Sequence, residues 1–133
     1  MSFEAEVFQH FADNWTYCTI GWVQENVSFD PTPDEEYAIP AIRHTSARIA
    51  EIPVESGLVR NEYLFSVNFL IKENSGMASL EGYVEQLRTL YHKKTIKTAS
   101  YNVFFGPLNT LNGFYEGAHF EVPTIFNTTV FSQ

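Results

Sequence analysis

The stretch VRNEYLFSVNFLI, from Val59 to Ile71, decides the fold, because the character of its residues alternates along its whole length. The odd positions are mostly large and apolar: Val59, Asn61, Tyr63, Phe65, Val67, Phe69 and Ile71. The even positions are mixed and more polar: Arg60, Glu62, Leu64, Ser66, Asn68, Leu70 and Lys72. Alternation with a period of two is typical of a β-strand with one buried face. The stretch therefore predicts a long strand packed on a core.

A partner strand is predicted just before it, from about Ala38 to Ala50, with the connection running from Ile52 to Gly57. Both strands exceed the usual five or six residues. We therefore expect part of this hairpin to project beyond the core. A free hairpin edge would be a site for pairing with another chain.

Two helices flank the hairpin. Apolar residues spaced three and four apart predict one helix from Phe3 to Asn14, which Ser2 can cap, and another from about Ala78 to His92. Three further strands are expected, at Thr19 to Val23, Ser100 to Phe105 and Phe114 to Phe131. In the last of them Phe120, Val122, Phe126 and Val130 share a face.

The predicted order is α-β-β-β-α-β-β, which favours an α+β fold with a mainly antiparallel sheet and both helices on one face. A length of 133 residues fits one domain, spanning residues 1–133. The single cysteine, Cys18, cannot form an internal disulfide, and the N-terminus lacks a signal-peptide pattern. No apolar run approaches the ~20 residues of a membrane helix. We therefore expect a soluble cytosolic protein.

The net charge of −8 is concentrated at one end of the chain. Residues 1–42 contain eight acidic side chains and no Lys or Arg, whereas the remainder carries eight acids and eight bases. Phosphate recognition needs Lys and Arg, so this distribution argues against a nucleic-acid reader. It leaves two interpretations open, a solubilising surface or an acidic rim that meets a basic partner. Pro31 and Pro33 mark the segment from Asp30 to Glu36 as an exposed connection.

Residues able to support catalysis or bind metal do not form a pattern. The four histidines, His10, His44, His92 and His119, are scattered, and a lone cysteine is usually a small buried hydrophobe. The run from Asp30 to Glu36 resembles a calcium loop only superficially, because it lacks the glycine and the final glutamate. The basic cluster of His92, Lys93, Lys94 and Lys97 suits the end of a helix. We expect no enzyme activity, no catalytic residue, no cofactor and no metal.

The ordered segments resemble the tail terminators of long-tailed phages and prophages. These are the lambda-type minor tail proteins, including a branch catalogued as a phage-related domain of unknown function. The resemblance begins with the helix from Phe3 to Asn14 and continues in the loop from Trp22 to Pro31. It includes the stretch from Gly57 to Gly76, a helix that ends near Tyr91, and the run from Gly113 to Phe131. The chain departs from the family pattern at Lys72-Glu73 and at Glu116-Gly117-Ala118.

The resemblance implies a structural virion protein at the head-proximal end of the tail, assembled in the host cytoplasm. It implies a ring of identical subunits, a hexamer, that caps the tail tube protein, stops its polymerisation and meets the head-tail connector protein. DNA would pass through the channel without specific binding, and no membrane is implied. Two alternatives remain: a head-completion or neck protein of the same virion, or a domain that binds a small molecule in its aromatic interior.

Loops and turns carry the residues expected at such an interface. The acidic connection contributes Asp30, Asp34, Glu35 and Glu36, the hairpin end contributes Glu55, Ser56 and Gly57, and the next turn contributes Glu73 and Asn74.

Overall fold

The structure, a computed structural model, describes residues 3–21, 35–49, 59–72, 78–116 and 119–132. The described residues include two helices and eight strands. In chain order they are α1 (Phe3–Asn14), β1 (Thr19–Ile20), β2 (Tyr37–Ile49), β3 (Val59–Lys72), α2 (Ala78–Tyr91), β4 (Thr95–Lys97), β5 (Tyr101–Phe105), β6 (Asn109–Thr110), β7 (Phe114–Glu116) and β8 (His119–Ser132). The expected α+β fold is confirmed.

All eight strands belong to one mixed sheet. Its order is β1-β2-β3-β8-β5-β4, and β6 and β7 also pair with β8. The β1–β2 pair is parallel and every other pair is antiparallel. The hairpin predicted from the alternating stretch is therefore present, and β3 lies between β2 and β8 at the centre of the sheet.

Both helices pack on the same face of the sheet. Phe11 of α1 meets Phe65 with ring centroids 6.2 Å apart, and Tyr91 of α2 meets Phe126 at 6.0 Å. The odd positions of β3 point to this face, as the alternation predicts. Four of them are buried there: Phe65, Val67, Phe69 and Ile71. We call this the helix face of the sheet and the opposite one the helix-free face.

The end of the chain differs from the prediction of one strand from Phe114 to Phe131. The chain reverses direction, because β7 pairs antiparallel with β8 through Phe114 with Glu121 and Glu116 with His119. Gly117 and Ala118, which separate the two strands in the sequence, lie outside the described residues. The last residue of β7 is therefore Glu116. Val122, Phe126 and Val130 nevertheless share the buried face as predicted.

Short strands account for the other differences. β4 and β6 have three and two residues, too few for a period-two pattern to be recognised. The predicted strand from Thr19 to Val23 is described only to Gly21, and it ends as a strand at Ile20. Because β8 pairs with β3 from Arg60 to Lys72, β2 is the strand of the hairpin on which a free edge is found among the described residues.

Candidate assembly interface

In the part of the chain that the structure describes, one margin of the sheet beyond Ala38 is formed by the side of β2 that faces away from β3. Gly21 N donates to Ala38 O at 3.0 Å, so the backbone polar groups of Ala38 are directed away from β3. The side to which the backbone N–H and C=O groups point alternates from one residue to the next along an antiparallel strand. The backbone polar groups of Pro40 and Ile42 therefore also point away from β3. Within the described residues, β1 pairs with β2 only at Tyr37 and Ala38. We call the side of β2 facing away from β3, from Ile39 to Ile49, the β2 edge.

The residues of the β2 edge suit a strand at the margin of a sheet. Pro40 has no N–H to donate, and proline inside a sheet is confined largely to edge strands and bulges. A register shift between His44 and Ser46 marks a bulge that divides the edge into two parts. Arg43 and His44 are exposed, and the His44 ring stands edge-on to Tyr63 with centroids 4.9 Å apart. The edge therefore carries a cationic side chain, and among the described residues no strand pairs with it beyond Ala38.

The opposite margin is apolar. β5, β6 and β7 line one side of β8 in succession. Five large hydrophobic side chains are exposed among the described residues, and four of them lie between residues 104 and 116. These four, which we call the apolar margin, are Phe104, Leu111, Phe114 and Tyr115, and Tyr115 is 72% exposed. Tyr, Phe and other large apolar side chains are enriched at protein interfaces.

The apolar margin has a defined local structure. Tyr115 stands edge-on to Phe120 with ring centroids 5.0 Å apart. Phe120 itself lies against the backbone of Gly113, where an added Cβ would be 2.4 Å from Phe120 Cε2. Only a residue without a Cβ permits this contact, so Gly113 helps to fix the position of the β7–β8 hairpin and of Tyr115.

A groove of about 380 Å³ lies between α2 and β6, next to the apolar margin. It is lined by Leu80, Glu81, Val84, Glu85, Arg88 and Thr110. Arg88 forms an ion pair with Glu85, so the two acids and one base leave an excess of negative charge. A smaller groove of about 270 Å³ lies on the helix-free face beside the β2 edge, and Ala41, Arg43 and Ser66 are among its lining residues.

Seven of the nine predicted interface residues lie outside the described residues: Asp30, Asp34, Glu55, Ser56, Gly57, Glu73 and Asn74. Glu35 is exposed, as expected. Its carboxylate accepts a hydrogen bond from Tyr37 OH at 3.0 Å, and its backbone oxygen lies 2.8 Å from His119 Nε2.

Glu36 corrects the prediction that the whole acidic segment is an exposed connection. It is half-buried, and its carboxylate accepts hydrogen bonds from Tyr83 OH (2.6 Å), Lys72 N (3.1 Å) and Ser79 Oγ (3.3 Å). Burial alone would raise the pKa of Glu36, but the hydrogen bonds from Tyr83 and Lys72 outweigh it and hold that pKa below the ordinary value. Glu36 joins the start of β2 to the end of β3 and to α2, a structural role that a charge count does not reveal.

Two histidines make contacts within the fold, and Cys18 is half-buried. His10 Nδ1 lies 2.9 Å from Tyr91 OH, and His92 Nδ1 accepts a hydrogen bond from Leu108 N at 2.9 Å. Burial raises the pKa of the Cys18 thiol to about 11, so the thiol is protonated at neutral pH. In the parts of the chain that are described, no three His, Cys, Asp or Glu side chains come together to hold a metal ion. Neither α1 nor α2 is long and apolar enough to cross a membrane.

No protein-family model matches the chain, and no curated protein matches it. Three chains of known structure match its fold. One of them, whose name states no function, superposes with a TM-score of 0.68 at 17% sequence identity. The match covers 96% of this chain and 92% of the other. At that identity the likeness establishes the fold alone.

Proposed function

We propose that this protein is a ring-forming tail terminator of a long-tailed phage or prophage. In this role it caps the tail tube, stops its polymerisation and provides the joint to the head-side connector. The observation that carries the proposal is a sheet that ends in two margins of different chemistry, the β2 edge and the apolar margin. A ring of identical subunits needs two different surfaces on each copy, because a head-to-tail contact that closes on itself is heterologous.

The order of elements supports the same proposal. The resemblance to tail terminators depends on an N-terminal helix, a long hairpin, a helix ending near Tyr91 and a long last strand. The chain folds into α1, the β2–β3 hairpin, α2 ending at Tyr91 and the 14-residue β8 in that order.

The packing of the interior favours an assembly protein over the small-molecule alternative. Tyr91 and Phe105 have ring centroids 4.7 Å apart, and Phe126 lies 5.8 Å from Phe105 and 6.0 Å from Tyr91. These are distances of rings in contact, so this part of the aromatic interior is filled by the protein's own side chains.

The function is tested by adding the purified protein to tail tubes that are still elongating. We expect elongation to stop and the length distribution to narrow as the protein is added. Phe126→Ala is the control, because loss of the core ring should remove the activity together with the fold. Tubes that grow equally long with and without the wild-type protein would contradict the proposal.

A further inference from the structure

Three lysines lie close together where α2 ends and β4 begins. Lys93, Lys94 and Lys97 are among only eight Lys and Arg residues in a chain whose net charge is −8. All three are exposed, and in the part of the chain that the structure describes none of their side chains forms an ion pair or a hydrogen bond. We call these three residues the basic corner. A positive patch in an otherwise acidic chain attracts anionic groups.

Pairing with β5 fixes the shape of the basic corner. Lys93 N donates to Gly106 O at 3.1 Å, and Lys97 pairs with Asn102. The three lysines therefore run alongside β5 over roughly 10 Å, at the rise of about 3.3 Å per residue of a strand. An extended segment of three or four residues matches this length.

The end of α2 does not use the lysine side chains as caps. His92 N donates to Arg88 O at 3.0 Å. Lys94 N donates to Tyr91 O at the same distance, so backbone donors bind the first and the last of the four terminal carbonyl groups. Lys93 has a φ of 53°, in the left-handed region where glycine is favoured. A lysine at such a position is costly to the fold, which points to a contact of its side chain outside the chain.

An exposed aromatic ring adjoins the basic corner. Phe104 of β5 is 42% exposed and pairs with Thr95, two residues before Lys97. Because the neighbouring Val103 is buried on the helix face, the alternation along β4 and β5 places Phe104 and Lys97 together on the helix-free face. Phe131 stands edge-on to Phe104 with ring centroids 5.7 Å apart. The surface therefore combines exposed cations with an apolar ring.

These features fit a short acidic segment of a protein better than duplex DNA. Charges interact strongly only within about a Debye length, ~8 Å at physiological salt, so a short segment interacts mainly with the basic corner. A duplex extends beyond the corner and also meets the excess negative charge of the rest of the chain. Three lysines neutralise few phosphates, and a phosphate backbone offers no apolar group to Phe104.

We propose that the basic corner and Phe104 form a docking surface for an acidic segment of a partner protein. Carboxylates of the segment meet the lysines, and an apolar side chain packs on the Phe104 ring. The inference goes beyond the proposed function, because it holds whether or not the chain is a tail terminator.

Fluorescence anisotropy tests the proposal with a labelled peptide in which glutamates flank a central leucine. The wild-type protein should bind this peptide at low salt, and binding should weaken as salt is added. A peptide with glutamine in place of glutamate should not bind. A labelled DNA duplex is the second ligand. Tighter binding of the duplex than of the glutamate peptide, or no binding of that peptide, would overturn the inference.

Single substitutions separate the local charge from the net charge. Lys97→Gln should weaken peptide binding by about threefold to fivefold, the effect of losing one exposed ion pair. Arg43→Gln is the matched control, because Arg43 is also exposed but lies on β2, and its loss changes the net charge equally. It should leave the affinity unchanged. Equal weakening in the two variants would overturn the inference.

Lys93→Gly separates binding from stability. Glycine suits the left-handed backbone, so this variant should melt at a higher temperature than the wild type and yet bind the peptide more weakly. Unchanged affinity in Lys93→Gly would contradict a contact of the Lys93 side chain with the partner.

The apolar part of the surface has its own test. Phe104→Ser should weaken binding of the leucine peptide but not of a peptide with glycine in place of the leucine. Leu111→Ser is the control, because Leu111 is 46% exposed on β8's other neighbouring segment, away from the basic corner. Equal effects of the two substitutions on the leucine peptide would overturn the role of Phe104.

Discussion

Ala41 and Asn109 lie at the same level on opposite margins of the sheet, connected through the pairs Ala41–Ser66, Ser66–Ile125 and Ile125–Asn109. The relationship matters because the two margins differ: within the described residues no strand pairs with the outer side of β2 beyond Ala38, whereas β7, next to β6 along β8, carries the exposed side chains of Phe114 and Tyr115. A subunit with unlike surfaces at the same level can repeat side by side and close into a ring.

The core depends on Phe126. Its side chain is fully buried on β8 and contacts the rings of Phe65, Tyr91 and Phe105. Phe126→Ala should lower the free energy of unfolding by roughly 3–5 kcal/mol, measured by denaturant unfolding. The control is Tyr115→Ala on the exposed margin, expected to change it by no more than ~0.5 kcal/mol. Similar losses in the two variants would contradict the core assignment.

Two residues of the acidic segment have different roles: Glu36 is held by hydrogen bonds within the fold, and Glu35 is exposed. Glu36→Ala should lower the free energy of unfolding by about 1–2 kcal/mol, because it removes an acceptor from Tyr83, Lys72 N and Ser79. Glu35→Ala, in an exposed position, should cost ~0.5 kcal/mol or less.

The lowered pKa of Glu36 gives stability that is present above its ordinary value of 4.5 and lost as the pH falls through the folded-state value. Chemical unfolding between pH 7 and pH 3 should show this loss in the wild type and a smaller one in Glu36→Ala. Equal losses would show that Glu36 does not contribute.

Stability should also change near pH 6 because of His10. Burial lowers the pKa of His10, and the nearby Asp13 offsets this only partly. A base with a lowered folded-state pKa binds its proton more readily when the chain is unfolded. The contribution of His10 to stability is therefore complete above about pH 6.5 and falls as the pH drops below that value. Melting temperatures measured from pH 7.5 to pH 5 should decline less in His10→Gln than in the wild type. An unchanged pH profile in that variant would assign the decline to other groups.

Gly113 should tolerate no larger residue. An added Cβ would lie 2.4 Å from Phe120 Cε2 and 3.0 Å from Glu121 O, so Gly113→Ala should cost about 1–3 kcal/mol. The matched control is Gly82→Ala within α2, where nothing lies within 4 Å of the added atom. This control should stabilise the protein by up to ~1 kcal/mol, because alanine is the better helix former. The same sign of change in both variants would contradict the close approach at Gly113.

The long elements follow from residue periodicity, and the short ones do not. The alternation from Val59 to Ile71 predicts β3 and its buried face, and the apolar spacing predicts α1 and α2 within one residue of their observed ends. Three short strands, β4, β6 and β7, have only two or three residues each. β6 and β7 form by pairing with β8, and β4 forms by pairing with β5, the neighbour of β8. Strand pairing with residues elsewhere in the sequence leaves no local pattern in so short a segment.

The candidate interface was predicted less completely than the fold. The expected free hairpin edge corresponds to β2, but the sequence does not indicate the apolar margin, because exposed and buried aromatics look alike in a sequence. Glu36 was assigned to an exposed rim, since its three hydrogen-bond donors lie 36 to 47 positions further along the chain. Similarly, Glu6 is buried and accepts a hydrogen bond from Ser100 N at 3.0 Å, and a partner 94 positions away leaves no local signal in the sequence.

The central claim is that this chain closes into a ring at the head-proximal end of the tail. The most direct measurement is particle imaging of the purified protein alone and mixed with tail tubes, followed by reconstruction of the assembled tail. The account predicts rings of six-fold symmetry on the tube, seated at the end that meets the head. A monomer or dimer under both conditions, or density for this chain elsewhere on the virion, would contradict it.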